Sequence, residues 1–301
     1  ALERTVKRPE RAAALAERAA AAGAAPTRVA LLRAEALIDK GDHARGVKLL
    51  LDVAADAPEY LEARLRAAEV LRDDHKLDEA DQALETAARK TSAADAAKAD
   101  AAKVDRQGAV SLAIARSQID EKRGDAVRAA RRLDEALAAD ADDARLVLAR
   151  AAVDDRRGDW RHGLALAERL LGREPRNVEA LNFAGFLAAD HGQDLPAATK
   201  RLQAAVALSP GAGGIVDSLG WAYFRAGDLA RAATFLEQAG RLEPDDPEIL
   251  EHVGDLYAKR GERAKALETY RRAQRGKPSD AVARDLAERV RTLEAKSAAG
   301  R

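Results

Sequence analysis

The sequence contains no cysteine and no methionine. Without cysteine, the chain can form no disulfide, no thiolate metal site and no cysteine nucleophile. Methionine is absent even from residue 1, so we expect the chain to be a processed or excised piece of a longer protein. A signal peptide or a lipid-attachment cysteine would then already have been lost, and a lipid anchor on the missing N-terminus stays open.

Aromatic residues make up only 3% of the chain, and no run of eighteen apolar residues occurs. The sequence therefore predicts no transmembrane helix. Basic and acidic residues balance at 51 each and are spread along the whole chain. A protein that neutralises many phosphates carries a basic excess or a basic stripe. The sequence therefore predicts no nucleic-acid partner.

The residues that are abundant favour helices. Ala, Arg, Leu, Glu and Asp dominate, and Ala, Leu, Arg and Glu lose little conformational freedom in a helix. The hydrophobic fraction of 47% is too high for a disordered chain. An all-α fold is predicted.

Regularly spaced glycines divide the sequence into repeats. From Gly124 onward, successive glycines follow at steps of 34, 34, 35 and 34 residues, and each is followed by an acidic or amide residue. Such a glycine ends one helix, and an acidic residue after it can cap the next. His75 stands 34 residues after Gly41, so a turn is predicted there without its glycine. The full set is Gly41, Gly124, Gly158, Gly192, Gly227 and Gly261.

Two further features recur in phase with these glycines. A small residue stands five or six positions later, where two helices can cross closely, and a proline then ends the second helix. These prolines are Pro58, Pro175, Pro210, Pro244 and Pro278. The unit at 213–246 has all the features, and it resembles the tetratricopeptide repeat. The signature positions of that family are filled by Leu219, Gly220, Tyr223, Gly227, Ala232, Leu236, Ala239 and Pro244.

The resemblance implies an all-α, right-handed superhelical solenoid of antiparallel helix pairs, with seven repeats and a C-terminal capping helix. A partial repeat is predicted in 1–26, units 1 and 2 in 27–94, units 3 to 7 in 110–280, and the capping helix with a tail in 281–301. Residues 95–109 are predicted to extend a first helix, with a linker as the alternative. The unit borders are 27–60, 61–94, 110–143, 144–177, 178–212, 213–246 and 247–280.

Helix starts are predicted from N-cap residues. Asp246 precedes Pro247 and Glu248, which is the order of an N-cap and a proline in the first turn. The residues at equivalent starts are Thr27, Asp143, Asn177 and Asp280.

The family binds its partners along the concave wall formed by the first helices, at their second, fifth, ninth, twelfth and thirteenth positions. Transferred to the three C-terminal units, these positions predict a partner-binding groove. Trp and Arg dominate the energetics of many interfaces, so Trp221 and Arg225 are its proposed centre. The alternative is that Trp221 only packs between neighbouring first helices. The predicted set is Asn182, Phe186, Asp217, Trp221, Phe224, Arg225, Glu251, Asp255 and Lys259.

The charges in this set bear on the partner. Family members that clamp the terminal carboxylate of chaperones use Lys and Asn at these positions, whereas this chain has Asp217 and Glu251 at fifth positions. The acidic residues would repel a carboxylate. They favour a partner with basic residues and argue against that co-chaperone role.

No catalytic residue, metal site or cofactor is predicted. The five histidines lack metal-ligand spacing, and we interpret each as a solvated or capping residue. The glycine-rich segment at 210–214 lacks the Lys-Ser/Thr pair of a phosphate-binding loop. The sequence predicts a non-enzymatic protein.

The predicted function is a protein–protein interaction scaffold that binds a segment of another protein. The segment LNFAGFLAADHG at 181–192, followed by DSLGWAYFRAG at 217–227 and PEILEHVGDLYAKRG at 247–261, resembles bacterial repeat proteins that often carry lipoprotein or secretory signals. This favours assembly of a bacterial envelope complex, at the periplasm or outer membrane, over a cytoplasmic adaptor. An RNA-binding helical repeat is a further alternative, against which the neutral charge argues.

Overall fold

The computed structural model of the chain describes residues 9–94, 99–276 and 278–298. These residues form helices joined by turns, and none of them lies in a β-strand. The predicted all-α class is confirmed. The helices are α1 (Pro9–Ala21), α2 (Pro26–Asp39), α3 (His43–Leu51), α4 (Tyr60–Asp73), α5 (Leu77–Ala94), α6 (Ala99–Lys122), α7 (Ala126–Ala139), α8 (Ala144–Arg156), α9 (Trp160–Arg173), α10 (Val178–Asp190), α11 (Leu195–Leu208), α12 (Gly213–Arg225), α13 (Leu229–Leu242), α14 (Pro247–Lys259), α15 (Arg263–Arg275) and α16 (Asp280–Ala298).

The chain divides into two compact units, residues 1–157 and 158–301. In the first unit, consecutive helices pack together and the alternate helices α4, α6 and α8 also contact one another in order. In the second unit, consecutive helices again pack together, and α10, α12, α14 and α16 contact one another in the same way. Contact between every second helix is the arrangement of stacked helix pairs. The predicted stacking of helix pairs is confirmed in each unit.

The predicted glycine turns adopt the left-handed conformation. All six glycines have φ between 67° and 86°, a region that residues with a Cβ rarely enter. His75 has φ 60° and forms the corresponding turn without glycine. After four of these turns, an aspartate side chain accepts a backbone N–H of the next helix; they are Asp42, Asp125, Asp159 and Asp228.

Two turns differ from the predicted pattern. The 35-residue repeat moves the cap from Gln193 to Asp194, which itself has φ 41°. Glu262 precedes α15 but forms no capping hydrogen bond with its side chain. The longer glutamate side chain is a weaker cap than aspartate.

Three predicted N-caps are confirmed. The side chains of Asp143, Asn177 and Asp246 each accept one or two backbone N–H groups of the following helix. The prediction for Thr27 was wrong, because α2 begins at Pro26 and Ala25 is its N-cap residue. The Thr27 hydroxyl instead donates to Glu59 Oε2 at 2.8 Å.

The start of α16 also differs from the prediction. Asp280 is the first residue of the helix rather than its cap. The hydroxyl oxygen of Ser279 accepts the Val282 N–H at 3.4 Å.

Glycine permits close crossing of the two helices in the last pairs. A Cβ on Gly254 would lie 2.3 Å from the Tyr270 ring, and one on Gly220 would lie 2.8 Å from the backbone nitrogen of Leu236. Both distances are shorter than non-bonded carbon contacts. The signature glycine therefore makes room for the second helix.

Helix α16 covers the last helix pair. Leu286 is fully buried against a cluster that contains Leu250 and Tyr270, and Val282, Val290 and Leu293 pack on the same cluster. The predicted capping helix is confirmed.

Parts of two further predicted elements lie outside the described residues. They are residues 1–8 of the partial repeat and residues 95–98 of the helical extension. Within the described residues, α1 packs on α2, and α6 runs without a break from Ala99 to Lys122.

Candidate protein-binding groove

The nine predicted groove residues lie on three helices that contact one another in order, α10, α12 and α14. Each of these is the first helix of its pair, and the side chains of Asn177 and Asp246 cap the starts of α10 and α14. The side chains on α12 and α14 form a continuous cluster with neighbours that were not part of the prediction.

The centre of this cluster is a stack of aromatic rings. The Trp221 ring stacks on His252 with centroids 4.2 Å apart and on Phe224 with centroids 4.9 Å apart. Phe186 also lies near His252, with a centroid distance of 6.4 Å and a tilt of 37° between the rings. Trp221 therefore stacks on one ring of α14 and one of α12, and it stays partly exposed. We call Phe186, His252, Trp221 and Phe224 the aromatic stack.

Asp190 ties the stack to the end of α10. Trp221 Nε1 donates to Asp190 Oδ1 at 3.0 Å, and Arg225 Nη1 donates to the same oxygen at 2.9 Å. Arg225 also donates to the Asp190 carbonyl oxygen, and its guanidinium lies 5.9 Å from the Trp221 ring centroid. Tryptophan and arginine thus share one carboxylate on the preceding first helix, which holds both side chains in place.

His252 joins the stack to a buried carboxylate. Its Nδ1 lies 2.6 Å from Oδ2 of Asp217, a residue that is only 5% exposed. Burial of the imidazole opposes its protonation, but the charge and hydrogen bond of Asp217, with Glu251 and Asp255 nearby, outweigh it. The pKa of His252 is therefore raised above its ordinary value.

The interpretation of His252 as a solvated or capping residue was wrong. Its side chain is only 18% exposed, stacks on Trp221 and lies near Phe186. The sequence held one signal, since His252 directly follows the predicted groove residue Glu251 on the same helix.

The two acidic groove residues on α14 are paired with the capping helix. Arg289 of α16 lies 2.9 Å from Glu251 Oε1 and donates to Asp255 Oδ1 at 2.8 Å. The Tyr270 hydroxyl donates to the same Asp255 oxygen at 2.6 Å. Burial raises the pKa of Glu251, with Arg289 and His252 opposing the shift. Burial, aided by the bond to Asp255, raises the pKa of Tyr270.

The polar groove residues differ in what they can still bind. Asp217 Oδ1 and Asn182 Oδ1 are buried acceptors that receive no hydrogen bond from the described residues. Arg225 and Lys259 are exposed cations at the C-terminal ends of their helices. The site therefore combines partly exposed rings, two acceptors and two exposed cations.

The described part of the chain was also compared with the requirements of a metal site and of a membrane-spanning helix. No three His, Asp or Glu side chains there lie close enough together to hold a metal ion. No helix among the described residues has the length and apolar character needed to cross a membrane.

One part of the chain matches a known family. Residues 218–281 match the sequence model of a family described as tetratricopeptide repeat. No curated protein matches the sequence.

Several solved structures share the fold. A tetratricopeptide repeat protein from Parabacteroides merdae superposes with a TM-score of 0.61, covering 89% of this chain and 98% of its own at 13% identity. A tetratricopeptide repeat protein from Thermus thermophilus gives 0.53, covering 62% of this chain and 98% of its own at 23% identity. The Cut9–Hcn1 hetero-tetramer of APC/C gives 0.55, covering 94% of this chain and 52% of that chain at 16% identity.

Proposed function

We propose that the chain is a non-catalytic scaffold that binds a segment of another protein along α10, α12 and α14. The match of residues 218–281 to the tetratricopeptide repeat model and the fold shared with solved tetratricopeptide repeat proteins support this. Proteins of this fold generally mediate protein–protein interactions and are typically not enzymes. The fold alone does not locate a site, so the location rests on the side chains of these helices.

The observation that carries the proposal is the aromatic stack. Phe186 and Phe224 are partly exposed members of it, while Trp221 Nε1 and His252 Nδ1 are bound within the chain. Rings that are held rigidly lose little entropy when a partner covers them. Aromatic and arginine side chains dominate binding hot spots, and Arg225 lies beside the stack.

The charge of the groove favours a partner with basic residues. Glu251 and Asp255 carry negative charge, although Arg289 offsets part of it. A partner segment with apolar side chains for the rings and a basic side chain for the acidic residues fits the groove.

Capture from a native lysate, with the protein as bait, tests the proposal. The groove variant carries Phe186→Ala and Phe224→Ala, which remove the two exposed rings and leave the hydrogen-bonded residues intact. The control variant carries Phe235→Ala, since Phe235 is a partly exposed ring that stacks on Tyr223 of the same unit. Circular dichroism and the unfolding midpoint of each variant establish that it is folded.

We expect a partner whose affinity falls about tenfold or more in the groove variant, the loss typical of hot-spot residues. Titration calorimetry with the identified partner measures it. Equal binding by the groove variant and the wild type would place the site elsewhere and overturn the proposal. Equal losses in the groove and control variants would also count against it.

For its context, we propose assembly of a bacterial envelope complex, supported by the resemblance of residues 181–192 to bacterial repeat proteins with export signals. Fractionation of cells that express the protein from its complete gene tests this. Recovery with the envelope supports the proposal, and recovery in the cytoplasm favours the adaptor alternative.

A further inference from the structure

A cavity of about 210 Å³ lies on the first unit and is lined almost entirely by arginine. Arg116 of α6 and Arg132 of α7 are the most buried of its lining side chains, at 21% and 18% exposed. Arg131 and Glu135 are exposed and form the rim of the cavity. The exposure of Arg128 is intermediate between that of the rim and that of the two most buried arginines. The cavity belongs to the α6–α7 pair and has no residue in common with the groove.

A carboxylate lies next to the Nε atom of three of the four guanidinium groups. Arg116 Nε donates to Asp81 at 2.9 Å, and Arg132 Nε donates to Asp120 at 2.9 Å. Arg128 Nε lies 3.3 Å from the other oxygen of Asp120. The terminal nitrogens of these three arginines donate no hydrogen bond to any acceptor in the described ranges. The guanidinium groups of Arg116 and Arg132 are thus oriented by their inner nitrogens, and all three arginines keep outer donors for another acceptor.

The charges around the cavity do not balance. Arg123 lies nearby and pairs with Asp78 at 2.7 Å, and it also lies 3.4 Å from Asp81 and 3.8 Å from Asp120. Three carboxylates, those of Asp78, Asp81 and Asp120, therefore face four guanidinium groups, those of Arg116, Arg123, Arg128 and Arg132. Asp120 is only 1% exposed, and solvent and salt screen its surroundings weakly. Arg131 lies 3.8 Å from Glu135, which is too far for a hydrogen bond. An anion in the cavity would relieve the repulsion among these arginines.

We propose that the cavity formed by Arg116, Arg128, Arg131 and Arg132 binds a phosphate-sized oxyanion. A phosphate group presents several oxygens, and guanidinium groups recognise them with paired N–H donors. The sources of such a group are free phosphate and a small phosphate ester. The neutral charge of the whole chain does not conflict with this, because the excess of positive charge is local.

Titration calorimetry of the whole chain at low ionic strength tests the proposal, with inorganic phosphate in one arm and O-phosphoserine in the other. Unmodified serine serves as the blank. The pocket variant carries Arg128→Gln and Arg131→Gln, and it leaves Arg132 in place because that residue pairs with the buried Asp120.

The control variant, Arg231→Gln with Arg241→Gln, removes the same total charge. Arg231 occupies the third position of α13, as Arg128 does in α7, and both follow an aspartate cap.

We expect saturable binding of at least one probe, weakened about tenfold or more in the pocket variant and less than about twofold in the control. Glu135→Gln removes a negative charge from the rim and is expected to tighten binding about two- to threefold. Binding of inorganic phosphate assigns the free anion, and binding of O-phosphoserine alone assigns the ester.

The absence of saturable binding with either probe would overturn the proposal. Equal weakening in the pocket and control variants would also overturn it, because it would show a general effect of net charge. Unfolding midpoints of all variants separate loss of the pocket from loss of the fold.

Discussion

Nδ1 of His252 lies 2.6 Å from Oδ2 of Asp217, and the two residues belong to successive first helices. The aromatic stack covers the imidazole, so a single titratable ring lies at the junction between two repeats. Its protonation determines whether the junction holds an ion pair or a neutral hydrogen bond.

The free energy of unfolding should fall as the pH rises through the folded pKa of His252. That pKa is raised, whereas the ring of the unfolded chain titrates near its ordinary pKa of about 6.5. Below the unfolded pKa the stabilisation is fully present, and above the folded pKa it is lost. Each pH unit by which the folded pKa exceeds the unfolded pKa corresponds to about 1.4 kcal/mol in the free energy of unfolding. Urea unfolding across this pH range measures the change.

The variant His252→Gln should lose most of this pH dependence, while His162→Gln, which alters an exposed histidine, should keep it. The assignment to His252 fails if both variants follow the wild type.

The variant Gly254→Ala should lower the free energy of unfolding. The new Cβ would lie 2.3 Å from the Tyr270 ring, which is buried and held by its bond to Asp255. Overpacking of this kind costs about 1–3 kcal/mol, more than alanine gains in helix propensity. As a control, Gly240→Ala finds its nearest neighbour at 3.6 Å and should raise stability by up to about 1 kcal/mol. Chemical unfolding measures both, and a stabilised Gly254→Ala would contradict the close crossing.

Replacing His75 by glycine should stabilise the turn between α4 and α5. His75 has φ 60°, in the left-handed region that disfavours residues with a Cβ. Relief of that strain should raise the free energy of unfolding by about 0.5–1 kcal/mol, net of the greater freedom of glycine in the unfolded chain. The opposite change, Gly124→Ala at φ 81°, should lower it by about 1 kcal/mol. Thermal unfolding of both variants is the check, and equal signs would contradict the account.

The variant Arg289→Gln should loosen the capping helix. Arg289 pairs with Glu251 and Asp255, which are largely buried, so its loss leaves carboxylates with less compensation. We expect a loss of about 1–3 kcal/mol, below that of a fully buried pair because the arginine is itself one third exposed. Arg271→Gln breaks an exposed pair with Glu294 and should cost less than about 1 kcal/mol. Hydrogen exchange in α16 locates the effect, and equal losses in the two variants would argue against it.

The repeat could be predicted from the sequence because the residues that end, cap and space its helices act locally. Glycine with a positive φ, an aspartate that caps the next helix, and a small residue at a crossing each act within a few positions. The predicted helix starts and caps were wrong where two neighbouring residues could each begin or cap the same helix. Pro26 starts α2 ahead of Thr27, and one inserted residue moves a cap to Asp194.

The interior of the groove could be predicted only in part. Helical position indicates which residues line one face, but the partner of a side chain depends on how neighbouring repeats are aligned. His252 and Arg289 therefore went unassigned, although each pairs with a residue of the predicted set. The aromatic residues were easier to find because they are so few.

The bonds Asp190–Arg225, Asp217–His252 and Asp255–Arg289 each join residues 34 or 35 positions apart. During synthesis, each of these aspartates therefore needs only the next repeat to be made before its partner side chain is present. Translation at about 5–20 residues per second supplies that repeat within seconds. The nascent chain can thus complete these junctions one after another as it leaves the ribosome, and Arg289 of α16 completes the last of the three.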